Sequence, residues 1–349
     1  MVKIARWHAP ATTETRTGPR VAHVHTGIVH KGRALSFEPD VTTLTLLEEG
    51  LAATLRRAAA RIAAAAGDEP PVEQVRFLAP LEPRSMRDFV TFEEHVEGVT
   101  ASIDGEAGVV DEWYEAPTFY FTNPHTVRAD GETIPVPSGC HRMDFELEVA
   151  AVIGAPAHGD APLGGTNLDP ARAHEFIFGY TILNDWSARD VQSREMKVRL
   201  GPCKGKDFAN TLGPWIVTAD EFADRHDEEG FLHLALTAEV NGTALGTDDL
   251  GHMGWPFAEL VAYASQDSRV LPGDVLGSGT SGRGCLAELW GRHNDLVPPP
   301  LAEGDRVRLT VEGIGSIENT VGARRREGVP SRPARRRGRS RAPETTSEG

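Results

Sequence analysis

Residues 144–153 read Asp-Phe-Glu-Leu-Glu-Val-Ala-Ala-Val-Ile, and no other stretch restricts the fold of this chain as strongly. Side chains alternate across a β-strand, so Asp144, Glu146 and Glu148 share one face and the apolar residues the other. Like charges side by side repel, and a surface strand would interleave them with lysine. Here the residues that follow, Ala150 to Ile153, are wholly apolar. A cation held between the glutamates resolves the conflict; a solvated strand face is the competing reading.

Two further segments bear on the same chemistry. Ile182-Leu183-Asn184-Asp185 places an acid at the end of an apolar strand, where an isolated buried charge is costly unless paired or metal-bound. Asp185 is therefore a third candidate ligand, against the alternative that it caps the next helix. Ser85 predicts a helix start, with Asp88 three residues on completing a capping-box-like arrangement and the helix running to about Val99. On that helix Asp88 and His95, seven residues apart, would share one face and reach one cavity. The alternative is a cap at Asp88 and a surface histidine. All-oxygen carboxylate ligands suit Mg²⁺, with Mn²⁺ or Ca²⁺ as alternatives, rather than zinc.

The remaining pattern is that of an α+β, β-rich protein. Leu47, Leu51, Leu55 and Ile62 predict one helix over 45–66, stopped by Gly67 and Pro70-Pro71, which marks off a small amino-terminal module, 1–74. Short β-like runs follow at 118–122, 145–153, 176–183, 215–218 and 232–240. Asn241-Gly242 signals a hairpin turn, the Gly-Asp pairs at 273–274 and 304–305 each launch a strand, and 255–264 reads as a helix. No internal repeat and no nucleotide-binding glycine motif is present.

Composition narrows the function. The formal charge of −15 conceals nine arginines between Arg324 and Arg341, so the body of the chain is still more acidic and nucleic acid is an unsuitable partner. The segment 323–349, rich in Arg, Pro, Gly and Ser, is expected to be disordered. No apolar run approaches the roughly 20 residues of a membrane span, and the amino terminus does not resemble a signal peptide, so no membrane partner and a cytoplasmic location are expected. Cys140, Cys203 and Cys285 read as free thiols.

Four collinear segments from about Phe77 to Gly322 resemble the fumarylacetoacetate hydrolase family. They are 144–154 with its Glu-Leu-Glu core, 178–192 with Asn184-Asp185-Trp186-Ser187-Ala188-Arg189-Asp190, 200–217 with Gly205-Lys206-Asp207-Phe208, and Gly277-Ser278-Gly279-Thr280-Ser281-Gly282. The resemblance implies a mixed β-sandwich roll as the catalytic domain, 75–322, and a homodimer. It implies a metal held by Glu146, Glu148 and Asp185, with Asp88 as the fourth acid of the fumarylacetoacetase members. It further implies His95 as the residue that activates water and Glu288 as the acid that supports it. Arg189, Gln192 and Lys206 match polar groups around the reacting oxygens, and Thr280 matches a contact to a substrate carboxylate.

The activity implied is metal-dependent hydrolysis of a carbon–carbon bond in a small 1,3-dicarbonyl or keto acid. A keto-acid isomerase, hydratase or decarboxylase using the same metal, and a metal-binding protein without catalysis, are the alternatives. The chain departs from the fumarylacetoacetase pattern at Met196, where a tyrosine is usual, and at Ala209, where a glycine is usual; both are expected where substrate binds. Members that decarboxylate oxaloacetate or cleave acylpyruvates carry a glutamate three residues after the histidine, where this chain has Gly98 beside Glu97.

Overall fold

The computed structural model describes residues 1–8, 23–104, 108–156, 163–293, 295–326 and 332–335. Strands dominate it. An eleven-stranded mixed sheet runs in the order 33–36, 24–30, 3–8, 210–218, 177–185, 147–153, 274–277, 85–89 and 119–122, with two short strands at its margin. A five-stranded sheet, ordered 243–249, 235–240, 306–311, 315–322 and 133–135, packs against it. The expected β-rich α+β sandwich is the architecture found.

Alternation along the strand Leu147–Ile153 decides what each face meets. Val149, Ala151 and Ile153 join a core with Leu236, Leu309 and Ile317 of the five-stranded sheet. Ala150 and Val152 turn the other way and pack with Leu46, Leu47 and Ala58 of the amino-terminal helices. Being buried on both faces, the strand reads as a continuous apolar run. Residues 1–74 also supply strands to the large sheet, since Lys3–His8 pairs with Asn210–Thr218 through Lys3↔Val217 and Ile4↔Ile216.

Turn chemistry matches the sequence closely. Asn241 and Gly242, with φ of 53° and 79°, close the hairpin between Ala235–Val240 and Thr243–Asp249. Strands begin at Asp274 and Arg306, just past the two Gly-Asp turns, and a helix spans Phe257–Ser265. Leu232, Leu234, Leu236 and Ala238 are all buried, although ladder pairing starts only at Ala235. The three cysteines are free thiols, Cys203 exposed and the others buried. The tail expected to be disordered lies mostly outside the described residues; within them Arg325 N–H donates to Val136 O at 2.8 Å.

Three local expectations are corrected. The segment 45–66 forms two helices, Thr43–Glu49 and Leu51–Ala63, separated by Gly50. Gly50 has φ 80° and ψ 169°, a region open essentially to glycine alone, and an added Cβ there would lie 2.9 Å from Ala155 O. Ser85 does not start a helix: Ser85–Phe89 is a strand, parallel to Asp274–Gly277 and antiparallel to Phe119–Thr122, and helix begins at Glu93. Residues 144–153 are not one continuous strand, because Met143–Asp144 pairs separately with Ser187–Ala188 and the ladder resumes at Leu147.

The break at Gly50 sets the angle at which both helices cover the large sheet. Gly50→Ala is expected to lower unfolding stability by about 1–3 kcal/mol, read as a reduced urea midpoint with an unchanged slope.

Candidate active site

Neighbouring strands aim three acids at one point. On Ser85–Phe89, Asp88 shares its face with Met86; on Ile177–Asp185, Asp185 shares its face with Leu183; on Leu147–Ile153, Glu148 shares its face with Ala150 and Val152. Met86, Leu183, Ala150 and Val152 all belong to the core beneath the amino-terminal helices, so the three carboxylates stand at the edge of one common face. One oxygen from each of Asp88, Glu148 and Asp185 lies within 4.8 Å of the other two. All three residues are almost wholly buried.

The strand Asp274–Gly277 runs between those of Glu148 and Asp88, and its residue at this level is Gly277, paired with Ala150 on one side and Asp88 on the other. A Cβ at 277 would stand 2.4 Å from Asp88 Oδ1, 2.8 Å from Leu183 Cδ2 and 3.0 Å from Glu148 Oε2. Glycine therefore keeps the space between the acids open.

Asp88 Oδ1, Glu148 Oε2 and Asp185 Oδ1 are buried without a hydrogen-bond partner. Buried polar atoms are rarely left so, and ionised carboxylates least of all. Burial, and then the charge of Asp185, pushes the pKa of Asp88 well up; burial, then Asp88 and Glu146, does the same to Glu148. Asp185 is raised by burial as well, with Lys206 opposing. Three hard donors clustered within 4.8 Å, each keeping an unpartnered oxygen, fit a hard divalent cation.

Glu146 stands beside this cluster rather than inside it. Its Oε2 accepts from Lys206 Nζ, which also donates to Asp185 Oδ2 at 2.7 Å. Its Oε1 accepts from Arg189 Nη2 at 2.7 Å. Burial works against the charge of Glu146, but Arg189 and Lys206 hold its pKa well below the carboxylate range. The same acids keep Lys206 protonated in spite of burial. Arg189 also donates to Asp144 Oδ2 at 2.8 Å and to Gln192 Oε1 at 3.2 Å.

His95 reaches the cavity from the helix Glu93–Asp104, not from the element that carries Asp88. The expectation of one shared helix face is thus corrected, although both residues line the same cavity. Its Nδ1 lies 3.7 Å from Glu288 Oε2, and its Nε2 lies 3.9 Å from Glu146 Oε1. Glu288 is fully buried on the helix Leu286–His293 and accepts from Arg283 N–H at 2.7 Å and Arg292 Nη2 at 2.7 Å. Burial disfavours its charge, but the imidazole and Arg292 bring its pKa below the ordinary value.

The cavity holds about 320 Å³ and is lined by Asp88, His95, Glu146, Glu148, Arg189, Gln192, Met196, Lys206 and Thr280. Thr280 Oγ1 donates to Glu148 Oε1 at 3.4 Å. Ala209 does not line it; the residue is fully buried in the core, which corrects its expected place beside substrate.

Sequence reasoning missed several participants. Tyr120 donates its hydroxyl to Asp185 Oδ2. Asp144 accepts from Leu286 N–H at 2.8 Å and Ala287 N–H at 3.0 Å, and so pins the start of the helix that carries Glu288. Cys285 Sγ lies 3.7 Å from His95 Nδ1. Only Asp144, in step with the two glutamates, left a local signal.

A cleft of this size, with convergent acids and a buttressed imidazole on a β-rich scaffold, is the mark of an enzyme that handles a small molecule. The model of the fumarylacetoacetate (FAA) hydrolase C-terminal domain matches residues 85–322, and the chain belongs to that family. It is similar to fumarylacetoacetase of Oryza sativa subsp. japonica, 28% identical over 290 residues, or 69% of this chain and 66% of that protein. The chain thus spans just under two thirds of that relative's length. Among solved structures, fumarylacetoacetate hydrolase from psychrophilic Exiguobacterium antarcticum superposes with a TM-score of 0.62 at 21% identity, covering 93% of this chain and 100% of the other. A 2-hydroxyhepta-2,4-diene-1,7-dioate isomerase from Mycobacterium marinum gives 0.60 at 21%, covering 93% and 99%. No helix among the described residues is long and apolar enough to cross a membrane.

The space above Gly277 yields a direct test. Gly277→Ala is expected to weaken Mg²⁺ binding about 10- to 100-fold, the usual penalty for disturbing what surrounds a metal site, with an unchanged far-ultraviolet circular dichroism spectrum. Calorimetric titration with Mg²⁺ measures it.

Proposed function

We propose that this enzyme is a divalent-metal-dependent hydrolase that cleaves the carbon–carbon bond beside a carbonyl in a small 1,3-dicarbonyl or keto acid, in the manner of fumarylacetoacetase. The observation that carries the reading is the pair of unpartnered oxygens on Asp88 and Glu148 in the same cavity as a histidine backed by a buried glutamate, with Asp185, which also keeps an unpartnered oxygen, clustered against both acids. We assign those three acids as metal ligands, with Glu146, which borders them through Lys206, as the fourth. Mg²⁺ is the cation proposed, Mn²⁺ or Ca²⁺ being the alternatives, in a cytoplasmic homodimer.

A hard divalent ion bound there would polarise the substrate carbonyl and stabilise negative charge on the departing fragment. The protein's own groups supply the rest. Ionised Glu288 facing Nδ1 favours the proton on that nitrogen, which leaves the Nε2 lone pair free to accept a proton from water. The oxygen of that water bonds to the carbonyl carbon; as the carbon–carbon bond breaks, its electron pair leaves with the neighbouring carbon, which takes up a proton. General base assistance of this kind contributes about 10²- to 10⁴-fold. Lys206 and Gln192 offer N–H donors to oxygens that gain charge, and Arg189 holds Gln192 and Glu146 in register. Thr280 is assigned to the substrate carboxylate.

Gly98 favours hydrolysis in the fumarylacetoacetase manner over the related chemistries. It lies one turn beyond His95, and a Cβ there would stand 2.2 Å from Glu288 Cγ. A side chain at 98 and an acid at 288 cannot occupy the same space, so the glutamate of the decarboxylating and acylpyruvate-cleaving members is replaced here by an acid from another helix. An isomerase built on the same site remains the second reading. Mass spectrometry of products separates them, because hydrolysis adds water and gives two fragments whereas isomerisation leaves the mass unchanged.

His95→Ala should retain Mg²⁺ affinity within about twofold while kcat on acylpyruvates falls about 10²- to 10⁴-fold; wild-type turnover by that variant would refute the role. Gly98→Ala should displace Glu288 and lower kcat by about 100-fold at unchanged Mg²⁺ affinity, followed by loss of substrate absorbance.

A further inference from the structure

The reactive end of the cavity is highly charged, yet the elements that carry its polar groups continue into apolar side chains. On the helix Glu93–Asp104, Val99 follows His95 by one turn; on Arg189–Met196, Met196 follows Gln192 by one turn. On the strand Phe119–Thr122, Phe119 precedes Tyr120, and on Ser85–Phe89, Phe89 follows Asp88. Val99, Met196, Phe119 and Phe89, with Val90 and Pro202, all line the same space. The rings of Phe89 and Phe119 pack 5.0 Å apart.

The cations that line the cavity are already engaged. Among the described residues they are Arg189 and Lys206, beside the imidazole of His95. Arg189 is bonded to Asp144 and Glu146, Lys206 to Glu146 and Asp185, and His95 lies between Glu146 and Glu288. Lys204, on the adjoining loop, pairs with Asp207 at 2.7 Å. A second carboxylate at the distal end of a substrate would meet aromatic and aliphatic walls and, among the described residues that line the cavity, no unpaired cation, an arrangement that penalises charge and rewards apolar area.

From this pairing of a saturated polar end with an apolar remainder, we infer that the enzyme takes a keto acid bearing one carboxylate and an uncharged alkyl or aryl distal group, in preference to a diacid. The inference rests on the proposed reading of the site and adds the class of substrate to it. Met196, 44% exposed, stands at the solvent side of this wall and is the position at which charge preference can be altered without disturbing the core.

The test compares two acylpyruvates of equal chain length, one ending in an alkyl group and one in a carboxylate, on the Mg²⁺-loaded enzyme. Binding is followed by calorimetry with the His95→Ala variant and turnover with the wild type. The expected result is at least tenfold tighter binding and at least tenfold higher kcat/KM for the alkyl compound. Met196→Arg should narrow both ratios at least fivefold by improving the diacid. Equal or better binding of the diacid overturns the inference, as does failure of both compounds to bind. Turnover of the diacid at the higher rate would overturn it while leaving the hydrolase reading intact; preferential binding of the alkyl compound without turnover by the wild type would uphold it while removing the hydrolase reading.

Discussion

The structure is governed by the desolvation of several carboxylates at one end of neighbouring interior strands of the large sheet. An ionised carboxylate taken out of water must find hydrogen bonds or a cation, or else accept a proton. Lys206 and Arg189 meet this demand for Glu146, for Asp144 and for one oxygen of Asp185. Asp88 and Glu148 receive no such cation, and Asp185 keeps a second oxygen unpartnered. Much of the local architecture serves to hold these groups together. The order of the strands brings them onto one face, Gly277 keeps the space between them clear, and Tyr120 hydrogen-bonds the acid that Lys206 also contacts.

Beside this charged cluster stands a pair that depends on helix packing. His95 and Glu288 come from helices separated by nearly two hundred residues, and their approach is close enough that position 98 has no room for a side chain. Asp144 links the two parts. Its carboxylate receives the first N–H groups of the Glu288 helix and also the guanidinium of Arg189, so one residue fixes both the acid behind the histidine and the cation beside Glu146. The favourable interaction of an acid with the start of a helix makes this an economical anchor.

How much of this was legible depended on whether the cause was local. The acids at 146, 148 and 185 stood out because apolar neighbours left no room for solvated charge, and the hairpin at Asn241-Gly242 because both residues tolerate positive φ. The strand Ser85–Phe89 was hidden by a coincidence. Ser85 and Asp88 have the spacing of a helix cap, whereas the Ser85 hydroxyl in fact donates to Asp274 at 2.9 Å, a residue far along the chain. The aromatic and β-branched run from Phe89 to Phe92 was the available warning. Tyr120, Cys285 and the clearances at Gly98 and Gly277 arise only from tertiary approach, which periodicity cannot express. Glu146 and Glu148 look equivalent in sequence, yet the ladder is interrupted between Asp144 and Leu147, and the Glu146 N–H donates to the Asn184 side chain at 3.0 Å. The two acids consequently enter different surroundings.

The balance of charge argues for a divalent ion rather than a monovalent one. Five buried acids, Asp88, Asp144, Glu146, Glu148 and Asp185, face two buried cations, Arg189 and Lys206. With every group ionised, three negative charges are left over in a region of low polarity. A monovalent ion would leave two, a divalent ion one. Protons are the other means of relief, which is why burial and mutual repulsion raise the pKa of Asp88 and of Glu148. Proton and divalent cation would therefore compete for the same oxygens, either one relieving the repulsion among these acids.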